Sequence, residues 1–192
     1  EEALRARSHS AEQALRRLGV TPPNDDMLHV MQSAVMAIAS HGRGLFSANR
    51  ALLPEGVPLR DLWKWCTTVR EHRGDSHVAA LAVLGINGLE ATVLLAIEQG
   101  IDLEVFEESR GWHHDHMSGT VERLVKIGLL ESRDRLSDAG RKLRVEVEDM
   151  TDRQAFVVVS RLALEYEAVL AVLESAAGCI REQQEIPFPN PM

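Results

Sequence analysis

Cysteine is scarce here, and so are aromatic residues: two cysteines, one tyrosine, four phenylalanines and three tryptophans in 192 residues. Cys66 and Cys179 lie far apart and match no metal or redox spacing, so both read as buried thiols. No apolar run reaches the ~18 residues that a membrane span requires, and the start EEALRARSHS is charged and helical, unlike a secretory leader. The expectation is a cytoplasmic protein without a membrane segment. Positive charge is the minority sign, with 21 Lys and Arg against 29 Asp and Glu and a formal net charge of −8. Any contact with nucleic acid must therefore come from a local basic patch. Also missing are a Ser-His-Asp order, a phosphate-cradling glycine loop, a dinucleotide fingerprint and a metalloprotease motif, so no reaction class and no cofactor is assigned. The chain opens on Glu1 rather than Met, which suggests a fragment of a longer protein.

What is present is helical periodicity almost everywhere. Leu4, Ala11, Leu15 and Leu18 recur at helical spacing until Gly19 and TPP stop them. NDDMLHVMQSAVMAIASHG opens on a capping Asn24 or Asp25, sets Leu28, Met31, Val35 and Ile38 on one face and closes at Gly42. After a Pro- and Gly-containing loop, Pro58 starts a helix with Leu59, Leu62, Trp63, Cys66 and Val69 as its stripe, running to Gly74. Asn87 caps a helix with Leu89, Val93, Leu94 and Ile97 as its face, and Asp102 caps a single short helix. Met117, Val121, Leu124, Val125 and Ile127 mark a third, closed by Gly128. Three helices in quick succession predict a helix-turn-helix core. Leu129 and Leu130, a charged tip, then Leu136 before a cap at Ser137 read as a short two-stranded wing. The fold class is thus all-α with a small β-wing, divided as 1–57 (N-terminal helical region), 58–86 (polar helical hinge), 87–140 (winged helix-turn-helix) and 141–192 (C-terminal helices and a Pro-rich tail, EQQEIPFPNPM).

REHRGDSHVAAL, residues 70–81, concentrates charge just before an apolar helix. Part of this is structural chemistry: Arg70 and Arg73 suit the negative end of a helix dipole, Gly74 a left-handed stop, and Asp75 the N-cap of a new helix. Glu71, His72 and His77 are left over. If the segment faces a cavity, Arg70 or Arg73 clamps a carboxylate or phosphate, and His72 or His77 exchanges a proton or ligates, with free N–H groups after Gly74 helping an anion. Arg70, Glu71, His72, Arg73, Asp75 and His77 are accordingly the candidate small-molecule site. HHDH at 113–116 places His113 and His116 on one helical face, but a metal needs three or four ligands, and no metal site is assigned. Paired carboxylates, Glu107 with Glu108 and Glu146 with Glu148, read as solvated helix faces.

ERLVKIGLLES, a helix running into a strand, and RLSDAGRKL, a strand and glycine opening the next helix, resemble the winged-helix regulators of the multiple-antibiotic-resistance family over residues 87 to about 180. More specifically, the chain resembles a little-characterised group of bacterial helix-turn-helix proteins carrying R-E-H-R-G-D-G-H-V-A-A-L, with Ser76 here replacing the second glycine. The resemblance implies a homodimer formed through terminal helices, a ligand pocket between dimer arm and winged helix, and duplex DNA bound by the third helix. Such a helix reads base edges from its N-terminal turns. The positions that this assigns are His113, His114, Ser118, Thr120 and Arg123, with Arg133 and Arg135 at the wing tip and further basic groups at Lys126, Arg141, Lys142 and Arg144. Asp115 and Asp134 weaken that field. Two functions follow: a ligand-responsive regulator that binds DNA as a dimer, or a winged helix repurposed to bind or transform a metabolite at residues 70–77 without DNA. Whether it is an enzyme stays open.

Overall fold

The computed structural model describes residues 2–184. Ten α-helices and one 3-10 turn (Ala163–Glu165) appear among them: α1 (Glu2–Arg17), α2 (Asp25–Met36), α3 (Gly44–Ala51), α4 (Pro58–Val83), α5 (Gly88–Gln99), α6 (Leu103–Arg110), α7 (His114–Lys126), α8 (Asp138–Ala155), α9 (Val157–Leu162) and α10 (Tyr166–Glu182). One antiparallel hairpin, β1 (Leu130–Ser132) and β2 (Arg135–Leu136), follows α7 with Leu130 opposite Leu136. The fold is mostly helical with a small two-stranded sheet, as the residue pattern predicts. The segment 185–192, with most of the Pro-rich tail, lies outside the described residues. No single described helix is long and apolar enough to cross a membrane.

The described chain forms two compact units, residues 2–75 with 154–184 and residues 76–153. In the first, Met31, Val35, Ile38, Phe46, Leu59, Leu62 and Trp65 are buried together with Val169. Each such large apolar side chain contributes about 1.5–3 kcal/mol by leaving water. In the second, Val93 and Leu94 of α5, Phe106 of α6, Met117, Val121 and Leu124 of α7 and Leu130 and Leu136 of the hairpin make the core. This is the α5–α6–α7 grouping that the spacing anticipates. Its caps are also as read: Asn87 accepts the N–H of Glu90 at 2.9 Å, and Asp102 that of Glu104 at 3.1 Å. Ser137 accepts the N–H of Gly140 at 3.0 Å and donates to the carbonyl of Gly128 at 2.6 Å.

Four local expectations are corrected. Gly74 does not end a helix and Asp75 does not start one, because α4 runs unbroken for 26 residues from Pro58 to Val83. Its buried face, Leu62, Trp65, Thr68, His72 and Ser76, keeps helical spacing through Gly74. Burial along that face outweighs the ~1 kcal/mol that an interior glycine costs. The buried tryptophan of α4 is Trp65 rather than Trp63, since Trp65 shares its stripe with Leu62 and Thr68. α2 stops at Met36 instead of reaching Gly42, and a separate α3 follows. There the Arg50 guanidinium donates to the carbonyl of Ile38 and, at 3.2 Å, to the hydroxyl of Ser40, holding the connecting turn. Finally, Val125 and Ile127 at the end of α7 are exposed rather than buried.

Candidate nucleic-acid interface and ligand segment

α7 owes its position to its own sequence. Met117, Val121 and Leu124 recur every three or four residues and are buried, which turns the intervening residues outward. His113, His114, Asp115 and His116 are all exposed at its start. The rings of His113 and His116 meet edge-on with centroids 5.7 Å apart, and His114 Nδ1 lies 3.0 Å from Glu107 Oε1. Ser118 accepts a hydrogen bond from Arg133 at 2.8 Å, so the hairpin tip is tied to the third helix. Thr120 spends its hydroxyl proton on the carbonyl of His116 at 2.8 Å.

The arginines assigned to this surface have acidic neighbours. Arg123 forms an ion pair with Glu90, a residue only 1% exposed. The second oxygen of that carboxylate accepts the N–H of Asn87 at 2.9 Å, closing a capping box at the start of α5. Arg135 pairs with Glu131 at 2.7 Å, and Arg133 approaches Glu122 at 3.8 Å. Asp134, between the two tip arginines, accepts the Ser132 hydroxyl at 2.6 Å; that bond holds its carboxyl below the usual range, so it stays charged. Arg141 donates to the carbonyl of Leu136 at 2.7 Å and to Asp138 at 2.6 Å. Arg144 is buried between Glu98 and Glu148. The surface sets the hairpin tip beside α7 and carries a largely self-neutralised field. Among the described residues no group of three or more His, Cys, Asp or Glu is placed to hold a metal.

The six residues assigned to a ligand fall into different surroundings. Arg70 and Glu71 pair with each other. Arg70 also borders an apolar cavity of about 330 Å³ walled by Met31, Cys66, Val69, Tyr166 and Leu173. Burial pushes the Cys66 thiol up to about 11, which keeps it protonated and unreactive. His72 is fully buried, its ring edge-on to Phe46 at 4.9 Å. Burial, and then the nearby Arg43 guanidinium, hold its pKa below the ordinary value, with Asp75 opposing them. Asp75 accepts the backbone N–H of Phe46 at 2.9 Å, while Arg73 is exposed. His77 Nδ1 meets Thr151 Oγ1 at 3.2 Å. The Thr151 hydroxyl also donates to the carbonyl of Val147 at 2.7 Å.

Two of these roles were hidden from sequence reasoning. Asp75 serves a helix 29 residues away, and Glu90 at the start of α5 pairs with Arg123 of α7. Neither separation leaves a periodic trace. A capping box at Asn87 and Glu90 was the one available signal, since it places a carboxylate at the buried start of α5.

No curated protein and no solved structure matches this chain. A family model described as a helix-turn-helix family matches residues 1–187. Nearly the whole sequence is covered, α5, α6 and α7 among it, and the chain belongs to this helix-turn-helix family.

Proposed function

We propose that this protein is a winged-helix DNA-binding regulator of the multiple-antibiotic-resistance type, acting as a dimer and responsive to a small ligand. The observation that carries the reading is the hairpin Leu130–Leu136 set directly after α7, with Arg133 of its tip bonded to Ser118 of the helix. In this reading α7 enters the major groove. His113, His114, Ser118 and Thr120 face base edges or phosphates, Arg133 and Arg135 follow the backbone, and Arg123 supports the helix through Glu90. Dimerisation is assigned to the C-terminal helices, supported by Phe156 and by Leu164, which is 97% exposed. The ligand is assigned to the segment Arg70, Glu71, His72, Arg73, Asp75 and His77, with the cavity beside Arg70 as its apolar part.

The test is fluorescence anisotropy with duplex from the protein's own promoter region and a shuffled duplex of equal composition. At ~50 mM salt the promoter duplex should bind more tightly, and the affinity should fall steeply by ~200 mM. Equal affinity for both duplexes refutes the reading.

A second reading has its own support. Arg123, Arg133 and Arg135 each face a carboxylate, and the chain carries a net charge of −8. Both features suit a winged helix that holds a metabolite at residues 70–77 and leaves DNA alone. It requires Arg73→Ala to reduce the thermal stabilisation produced by a bound metabolite; an unchanged shift sinks it.

A further inference from the structure

Lys64 of α4 carries a charge that the first unit buries. It is 8% exposed, and its Nζ is buried without a hydrogen-bond partner among the described residues. What it does have is the face of Trp65, whose ring centroid lies 3.3 Å from Nζ. The charge of Asp61 attracts it as well, but that carboxylate is held by backbone N–H groups, and a buried ammonium with an aromatic face and no hydrogen-bond acceptor is poorly compensated. Burial accordingly lowers its pKa to about 8, which still leaves the group mostly protonated at neutral pH.

Lys64 lines a cleft of about 650 Å³ between α1 and the beginning of α4, distinct from the cavity beside Arg70. Arg5 and Arg7 stand on the rim, exposed, with the Arg7 guanidinium over the ring of Trp63 at 4.8 Å. The carboxylates of the cleft are already engaged. Asp61 accepts the backbone N–H groups of Glu55 at 2.7 Å and Gly56 at 2.9 Å. Glu55 accepts the Ser8 hydroxyl and, at 2.9 Å, the Arg60 guanidinium. Arg60 in turn is shared with Glu12 at 2.7 Å. Glu55 attracts Arg5 and Asp61 attracts Lys64, yet four cations, Arg5, Arg7, Arg60 and Lys64, face two carboxylates around a hollow whose other walls include the apolar Leu52, Leu53 and Pro54.

We propose that this cleft binds a small organic anion, its carboxylate or phosphate held by Lys64, Arg5 and Arg7 and its apolar part laid against Trp63 and Leu52. The cleft's volume is that of a small-molecule site, and its lining joins an apolar wall to convergent charged groups. The anion supplies the hydrogen-bond acceptor that the Lys64 ammonium lacks among the described residues. This site is independent of the segment 70–77, so it stands or falls apart from the DNA reading.

Isothermal titration of the whole chain with hexanoate, phenyl phosphate, inorganic phosphate and hexylamine tests it, alongside NMR titration of the lysine side chains. Hexanoate or phenyl phosphate should bind and hexylamine should not, and the bound anion should move the Lys64 titration upward. Inorganic phosphate should bind more weakly than phenyl phosphate; equal affinity overturns the role given to the apolar walls. Lys64→Met keeps the stem, removes the charge and should weaken anion binding at least tenfold without lowering the melting temperature. If that variant does not fold, Arg7→Ala on the exposed rim gives the same reading through a several-fold loss. Binding of neither organic anion, binding of hexylamine as tight as theirs, or unchanged affinity in the folded variants overturns the proposal.

Discussion

The carboxylate of Asp75 accepts the backbone N–H of Phe46 at 2.9 Å, across 29 positions of sequence. Phe46 is the third residue of α3, and the residue before that helix, Arg43, makes no capping bond with its side chain. Asp75 therefore satisfies from α4 an amide that would otherwise be left open. Asp75→Ala should cost about 0.5–2 kcal/mol in chemical denaturation, the range of a lost N-cap. Asp75→Asn keeps an accepting oxygen and should cost less. Equal losses in the two variants would show that the hydrogen bond is not what matters at this position.

His72 links stability to pH. Its folded-state pKa lies below the ordinary 6.5, chiefly because the ring is buried. Above pH 6.5 the folded and unfolded forms are both neutral and the residue adds no pH dependence. Below it the unfolded chain takes up a proton that the folded one refuses, so stability falls with pH until the folded-state pKa is crossed. Melting temperatures between pH 7.5 and 5 should decline, and His72→Gln should flatten that decline. A slope unchanged in the variant would assign the effect to other groups.

Gly74 lies inside a continuous helix, and a Cβ there would meet nothing closer than Glu71 Oε2 at 3.8 Å. Gly74→Ala should therefore stabilise the protein, by about 0.4–1 kcal/mol, through the entropy of the unfolded chain. A destabilised variant would mean that the backbone at Gly74 is not helical.

Gly140 gives the opposite sign. A Cβ there would sit 2.1 Å from the carbonyl oxygen of Leu129, next to the hairpin. Backbone must move to admit it, so Gly140→Ala should cost about 1–3 kcal/mol, in the manner of an overpacked core. Denaturant titration of this variant beside Gly74→Ala makes a paired measurement with opposite expected directions.

Arg123 separates support from recognition. Removing its side chain leaves the Glu90 carboxylate buried without its ion-pair partner, and Arg123→Ala should cost about 1–3 kcal/mol of stability. Arg133→Ala, at the exposed tip, should hardly change stability, while in the DNA reading it weakens duplex binding and lowers the salt slope. Thermal melts and anisotropy on the two variants should therefore diverge.

Legibility in the sequence followed the range of each interaction. Asn87, Asp102 and Ser137 were readable as caps because a cap acts within three residues of itself. The α5–α7 core and the hairpin were readable because Val93, Met117, Val121 and Leu136 keep the period of their elements. Gly74 and Asp75 were misread for the same local reason. Glycine followed by aspartate is a common helix boundary, and only the packing around His72 and Ser76 makes it the middle of α4. Trp63 and Trp65, two positions apart, could each have supplied the apolar stripe until the rest of the core was placed.

Residue order alone determined that this is a mostly helical chain with three consecutive helices and a hairpin, since hydrophobic period and capping chemistry act over a few positions. Tertiary structure decided which charges are at work and which are already satisfied. Glu90 closes on Arg123, Asp75 on α3, and Lys64 is left buried over Trp65 beside a cleft. Burial and electrostatic pairing depend on distance in space, and the residues concerned are brought together only when the cores close.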